Sequence, residues 1–168
     1  MTMRYYDTFE TPSGGMLLAA SEKGLTGAYF DRQKHHPKRA TDWKHDPENA
    51  HLKRAKRQLA EYFAGKRSEF DLELDPRGTS FQKAVWKAIS RVPYGETISY
   101  GELARRAGFP EGARAAGAAT GRNPIGIVVP CHRIVGADGS LTGYAGGLAK
   151  KRALLALESG ERDLLSAA

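Results

Sequence analysis

Cysteine is almost missing from this chain: Cys131 is the only thiol in 168 residues. A single Cys excludes an internal disulfide and every two-Cys metal pattern, so Cys131 is either buried filler or a reactive thiol. No apolar run reaches the about 18 residues that a membrane span needs, and no charged-then-apolar leader follows Met1. The expectation is a protein with no membrane partner in an intracellular, cytoplasmic and reducing compartment. A P-loop, a Rossmann fingerprint and a CxxC pair are also absent, which leaves no cofactor motif.

The composition, 40% hydrophobic and 27% charged, suffices to bury a core in one domain or two small ones. The net charge of +7 is uneven: residues 1–76 carry 13 Lys and Arg against 12 Asp and Glu, and residues 77–168 carry 13 against 7. A cation excess confined to one half suits phosphate-backbone binding, because each neutralised phosphate releases counterions. A solvated surface is the plainer alternative.

The first 30 residues break like a meander of three short antiparallel strands, with turns at TPSGG and SEKG. Residues 31–45 are polar and lack an apolar period, so a long loop is expected. Its His35, His36 and His45 have no Cys and no fixed ligand spacing, and no metal is expected there. A helix follows, with Asp46 as N-cap, Pro47 in its first turn, Leu52, Ala55, Leu59, Tyr62 and Phe63 on one face, and Gly65 past its end. Lys53, Arg54, Lys56 and Arg57 give it a wet face. Residues 70–75 read as a closing strand, and the DPRGT stretch sets a domain boundary at about Pro76.

The second half reads as mostly helical. Thr79 and Gln82 form a capping box, and Phe81, Val85, Ala88, Ile89 and Val92 recur at helical spacing until Pro93 stops them. Trp86, close to that stripe, is expected in the core. A second box, Ser99 with Glu102, opens a short helix ending at Gly108, and residues 113–122 form a third. Two short helices about a tight Gly/Pro connection resemble a helix-turn-helix. The third helix is nearly all Ala and Gly apart from Arg114, Thr120 and Arg122. Such a bare surface admits the close approach of either a neighbouring helix or the wall of a nucleic-acid groove.

Pro130 fixes its own φ and biases Val129 toward β, so a strand over 127–129 is expected to end in a rigid turn presenting Cys131. A thiol with a pKa near 8.5 is only a few per cent thiolate at neutral pH, and His132 is placed to take its proton. Glu158 lies in the last turn of the final helix, where the macrodipole disfavours a carboxylate, and near the apolar side with Leu148, Leu154 and Leu155. A hydrogen bond to an imidazole N–H offsets both costs and completes a Cys131–His132–Glu158 relay. The alternative is an exposed helix-end Glu.

PCHRIVG, preceded by NPIGIVVP and followed by GSLTGYAGGLAKKRALLALE, resembles the O6-alkylguanine-DNA alkyltransferase family, in particular its bacterial Ogt-type members. RGTSFQKAVWKAISRVPYGETISYGELA extends the resemblance from about Arg77 to Glu158, whereas over residues 1–76 it rests on TPSGGMLLAA and the order of elements. The resemblance implies an α+β fold: an N-terminal ribonuclease-H-like α/β domain with a small antiparallel sheet over 1–76, and a mostly helical, winged-helix-like domain with a helix-turn-helix over 77–168. It implies direct-reversal DNA repair by a monomer without cofactor or metal, acting on O6-alkylguanine, and on O4-alkylthymine, in double-stranded DNA held through the minor groove. Each molecule acts once, because the thioether product offers water no carbonyl to attack.

Carried over residue by residue, Cys131 resembles the alkyl acceptor, His132 the base acting through water, and Glu158 its orienting carboxylate. Asn123 resembles the hinge asparagine, and Tyr100 the tyrosine that crowds the flipped nucleotide's phosphate and donates to the leaving purine. Arg114 resembles the finger that fills the gap in the base stack, on a helix whose Ala113, Ala115, Ala116 and Gly117, with Arg122, face DNA. Tyr144, Ala145 and Gly146 resemble the loop lining the base pocket, with the backbone of Cys131 and Val135 reading the guanine edge. Ala145 stands where some relatives carry a serine, and the cysteines that bind zinc near the N-terminus of some relatives are absent. A recognition-only relative, which lacks the thiol, is the runner-up; a turnover Cys-His hydrolase would leave the basic half idle.

Overall fold

In the computed structural model, which describes residues 3–38 and 42–160, the first 30 residues form the expected meander. Its strands are β1 (Tyr5–Thr11), β2 (Gly14–Ala20) and β3 (Leu25–Phe30), all antiparallel. Gly14 has φ +115°, which the tight β1–β2 turn requires and which side chains disfavour. Residues 31–45 are not wholly loop: Lys44 and His45 make a two-residue strand, β4, parallel to β1, giving the sheet order β3-β2-β1-β4. Buried Asp7 helps to hold this edge by accepting from Lys56 Nζ (2.7 Å) and pairing with His45 Nε2 (3.1 Å).

The first helix, α1 (Ala50–Phe63), begins later than expected. Asn49, not Asp46, is the N-cap, and its Oδ1 accepts from the Leu52 N–H at 3.1 Å. Asp46 instead closes a local turn by accepting from the Glu48 N–H. Leu52, Ala55, Leu59 and Tyr62 are buried as the spacing predicts, and α1 packs on the sheet. Lys53, Arg54 and Arg57 are exposed, but Lys56 is drawn in toward Asp7.

Residues 70–75 do not form the expected strand; Leu74 makes a single bridge to Leu25. The buried Gln58 amide satisfies the backbone of Asp71 in both directions, with bonds of 2.9 and 3.0 Å, so no strand partner is needed there. The same edge of β3 also receives the second half of the chain. Ala28 N–H donates to Pro124 O (2.8 Å), and Gly126 N–H donates to Ala28 O (2.9 Å). The segment carrying the cysteine is thereby stitched to the N-terminal sheet.

α2 (Ser80–Ile89) starts with the complete Thr79–Gln82 capping box, a device that stabilises a helix by about 1 kcal/mol. Trp86 is core, and its Nε1–H donates to Ala119 O at 2.8 Å. α3 (Tyr100–Arg106) has Ser99 as N-cap, but the Glu102 carboxylate turns outward to Arg105 and Arg106, both within one helical turn. α4 (Ala113–Gly121) packs on α2 and α3. Its Ala116, Ala119 and Thr120 are buried, whereas Arg114, Ala115, Ala118 and Arg122 are exposed. One face of this bare helix therefore packs on its neighbours, and the opposite face is open. Ala116, expected on the open face, instead belongs to the core because it shares the i, i+3, i+4 stripe with Ala119 and Thr120.

Residues 127–129 are not a strand either. Gly126 and Val129 bridge each other about a turn, with Ile127 at φ +70°, an unusual conformation for a β-branched residue. Asn123 imposes it: its Nδ2 donates to Val129 O (2.8 Å) and Ile125 O (3.4 Å), and its Oδ1 accepts from Ile125 N–H (3.0 Å). Ile127 is itself fully buried, which helps offset the strain. A single 3-10 turn (Cys131–Arg133) follows, then β6 (Ile134–Val135), which pairs in parallel with β5 (Ile98–Ser99), and finally α5 (Leu148–Ser159).

Candidate active site

The turn built by Asn123 leaves Cys131 only 8% exposed, with its N–H bonded to Val129 O at 2.8 Å. Cys131 lines a cavity of about 520 Å³ together with Tyr100, Tyr144, Ala145, Gly117 and Arg122. The β5–β6 pairing brings Tyr100, the first residue of α3, beside this segment, where its hydroxyl donates to Thr142 O at 3.1 Å. Gly117 of α4 faces the Tyr100 ring, and a Cβ there would lie 3.6 Å from it, an ordinary contact. Lys34 and His35, from the polar loop after β3, also line the cavity, and the Lys34 N–H donates to Ala145 O (2.9 Å). That loop thus fixes the segment opposite the cysteine.

Arg114, Ala113, Ala115, Ala116, Gly146 and Val135 do not line the cavity. Arg114 and Ala115 lie on the outer face of α4, and Val135 is buried in β6. Gly146 serves packing, because a Cβ there would approach Tyr144 to 2.9 Å and Phe30 of β3 to 3.1 Å. His35, His36 and His45 do not converge: His45 pairs with Asp7, His36 Nδ1 lies 3.0 Å from Pro37 O, and His35 lines the cavity. No group of three or more His, Cys, Asp or Glu suited to a metal occurs among the described residues.

Glu158 is no helix-end surface residue. Its carboxylate is buried and accepts from His132 Nε2 (2.6 Å), Arg133 Nε (2.8 Å) and Nη2 (3.0 Å), the Tyr62 hydroxyl (2.6 Å) and the Gly95 N–H (3.3 Å). Arg133, itself buried, donates from its third nitrogen, Nη1, to Val92 O at 2.7 Å. Burial pushes the Glu158 carboxyl up, but the bonds from His132, Arg133 and Tyr62 outweigh it and hold the group down at about 2. An ionised carboxylate surrounded by donors requires His132 Nε2 to carry a hydrogen. The other nitrogen, Nδ1, is buried without a protein partner and is therefore the basic one.

Burial lowers the His132 pKa despite the opposing pull of Glu158, and burial raises that of Cys131 despite Asn123 and Lys151. The resting pair is a neutral thiol beside a neutral imidazole. Lys151 was not singled out by sequence reasoning, nor were Arg133, Tyr62 and Gly95. Lys151 is fully buried in α5 and donates to Ile134 O (2.5 Å), Thr142 O (2.8 Å) and Gly143 O (3.2 Å), while burial lowers its pKa to about 8. Its position three residues from Leu148 and Leu154 is the same charge-on-an-apolar-stripe signal that marked Glu158.

This cluster makes the fold acid-labile. The Glu158 carboxyl sits at about 2 when folded against an ordinary 4.5, so its stabilisation is complete above about pH 4.5 and is lost as pH falls toward 2. His132 acts in the same direction: below its ordinary 6.5 the unfolded chain takes up a proton that the folded protein resists. Urea unfolding is expected to show stability falling from pH 7 to pH 3, with on the order of 3 kcal/mol at stake at Glu158 over its full range. Glu158→Gln should flatten the limb below pH 4.5; an unchanged slope contradicts the assignment.

Two family models cover nearly all of the chain. Residues 4–76 match the ribonuclease-like domain of 6-O-methylguanine DNA methyltransferase, and residues 80–160 match the DNA binding domain of the same family. A methylated-DNA–protein-cysteine methyltransferase of Mycobacterium tuberculosis is 52% identical over 156 residues, covering 93% of each chain. One from Methanosarcina acetivorans is 49% identical over 154 residues, covering 92% of this chain and 97% of its own. The crystal structure of Mycobacterium tuberculosis OGT in complex with DNA superimposes with a TM-score of 0.88 at 48% identity, over 98% of this chain and 99% of that one. The mixed α+β architecture, with its small N-terminal sheet and helical C-terminal part, matches those structures. With matches of this extent at both ends of the chain, the protein belongs to the 6-O-methylguanine DNA methyltransferase family.

Proposed function

We propose that this protein repairs DNA by transferring the alkyl group of O6-alkylguanine irreversibly to Cys131. The observation that carries the reading is the pinned imidazole: His132 Nε2–H is fixed on Glu158, leaving an unpaired, unprotonated Nδ1 on the residue next to the thiol. His132 takes the Cys131 proton through a bridging water. The sulfur attacks the alkyl carbon, the S–C bond forms, the C–O6 bond breaks, and its electron pair leaves on guanine, which recovers a proton. Guanine is a weak leaving group, and Tyr100 stabilises its departure by donating to the purine. The thioether has no route back, so each molecule reacts once.

The lesion reaches the cavity only when flipped out of the duplex. In this reading residues 77–168 form the DNA-binding and acceptor domain and residues 1–76 the supporting one. α3 and α4 act as a helix-turn-helix whose small outer face enters the minor groove, with Arg114 filling the gap in the stack. Ala113, Ala115 and Gly117 allow the close approach, and Arg122 adds charge at the far end. Tyr144 and Ala145 shape the base pocket, Gly146 lets Tyr144 pack against Phe30 behind it, and the backbone of Cys131 reads the guanine edge. The exposure of Arg114 in the first turn of α4 and of Arg122 just past its end supports this arrangement.

Arg114→Ala separates flipping from chemistry. Transfer from O6-methylguanine in duplex DNA is expected to slow by at least about tenfold, the scale of one or more kcal/mol of lost stacking support. Reaction with free O6-benzylguanine, which needs no flipping, should be unchanged in a single-turnover assay. Equal loss on both substrates refutes the role of Arg114.

A further inference from the structure

Tyr62 lies 96 residues before Glu158, in α1 of the N-terminal unit, yet its hydroxyl donates to Glu158 Oε2 at 2.6 Å. That oxygen also accepts from His132 Nε2 at 2.6 Å. Tyr62 is completely buried, and its ring is held by Phe63, Phe70 and Tyr94 at centroid distances of 5.4, 5.6 and 6.2 Å. The hydroxyl therefore has little freedom to leave the carboxylate.

We infer that Tyr62 is a positioning residue of the transfer reaction, which sets the basicity of His132 by sharing Glu158 Oε2 with it. The inference rests on the transfer reading above. Each donor to a carboxylate oxygen disperses its charge and weakens its hold on the others. With Tyr62 bonded, Oε2 is a poorer acceptor for His132 Nε2–H, and the imidazolium gains less from it. His132 then stays neutral, with Nδ1 free to accept the thiol proton, over a wider span below neutrality. Without the hydroxyl, Glu158 stabilises the imidazolium more, and His132 protonates at higher pH.

The groups facing this pair are otherwise fixed. Arg133 holds Glu158 from the 3-10 turn, Lys151 acts on His132 from α5, Tyr144 is within electrostatic reach of Glu158, and Tyr94 packs on Tyr62. Cys131 precedes His132 directly. Among these, Tyr62 is the one neutral hydroxyl donor to Oε2, so its removal changes no formal charge. The N-terminal unit thus completes the relay of the C-terminal one through a single hydroxyl.

Tyr62→Phe keeps the ring and deletes the hydroxyl. In the full-length variant the acid limb of the pH–rate profile for transfer from duplex O6-methylguanine should move upward by roughly half to one pH unit, the scale of one hydrogen bond. DNA affinity should stay unchanged. The His132 imidazole, followed by ¹H–¹⁵N NMR in unreacted protein and assigned with His132→Gln, should titrate at correspondingly higher pH. Phe63→Leu, which disturbs the same aromatic contacts, should lower thermal stability without moving the acid limb or the His132 titration. A folded Tyr62→Phe variant with an unmoved acid limb and an unmoved His132 titration overturns the inference. If the wild type transfers no methyl group, the transfer reading has failed instead, and the NMR titration still decides the role of Tyr62.

Discussion

Glu158→Ala is expected to abolish measurable transfer to Cys131 and to lower folding stability by about 3–5 kcal/mol. The size follows from what the substitution strands. Arg133 is buried and would keep its charge with no anion, only Val92 O and the Tyr94 ring beside it, while His132 Nε2 and the Tyr62 hydroxyl would lose their acceptor. Losing a hydrogen-bond acceptor costs more than the bond contributed, because the buried donors remain desolvated. Two measurements resolve the two effects: urea unfolding for stability, and single-turnover transfer from a duplex oligonucleotide for chemistry. Combining Glu158→Gln with Arg133→Met separates them further. Removing both charges together should recover much of the stability lost by Glu158→Gln alone, since an intact buried ion pair often contributes little net stability. Transfer should remain lost, because the imidazole still lacks its orienting carboxylate. Recovery of transfer in the double variant contradicts the relay.

Asn123→Ala carries the second large expectation. The side-chain amide supplies the bonds to Ile125 and Val129 that bend the chain through Ile127 at φ +70° and deliver Cys131 into its turn. Three buried bonds at about 1 kcal/mol each set a stability loss of roughly 3 kcal/mol. The cysteine is two residues beyond Val129, so relaxation of the turn also displaces the nucleophile. Transfer from duplex DNA and from free O6-benzylguanine should both fall, by at least about a hundredfold, since misplacement by an ångström is that costly. This distinguishes Asn123 from Arg114, whose loss should spare the free base. A stable, fully active Asn123→Ala protein contradicts the role of the turn.

The parts of the fold that were legible in the sequence are those decided by local chemistry. Thr79 and Gln82 cap α2 because both halves of the box lie within four residues. Leu52, Ala55, Leu59 and Tyr62 are buried because their spacing follows the helical repeat. The start of α1 was misplaced because Asp46 and Asn49 are both competent caps, and local sequence does not rank them. Residues 127–129 look like a strand by β-branching alone. The Asn123 amide overrides that propensity with bonds to the backbone that a strand would have used otherwise.

At the site, Glu158 was legible because a carboxylate on an apolar stripe is costly without a partner. Lys151 announces itself by the same logic. Tyr62 was legible only as a core aromatic: nothing near it in sequence indicates that its hydroxyl meets a carboxylate 96 residues away. Arg133 was hidden beside the more conspicuous histidine, although a guanidinium in so apolar a run also demands a buried anion. The contribution of Lys34 to the cavity depends on the polar loop folding back onto Ala145, a long-range contact with no local signature.

Whether Cys131 accepts one alkyl group and then stops is decided by intact-protein mass spectrometry after incubation with excess duplex DNA containing O6-methylguanine. Peptide mapping and Cys131→Ser serve as controls. One methyl group per molecule should be added, on Cys131 and not in the serine variant, with no further increase with time or substrate. An unmodified protein that still binds the lesion contradicts the transfer reading and makes this chain a recognition protein instead.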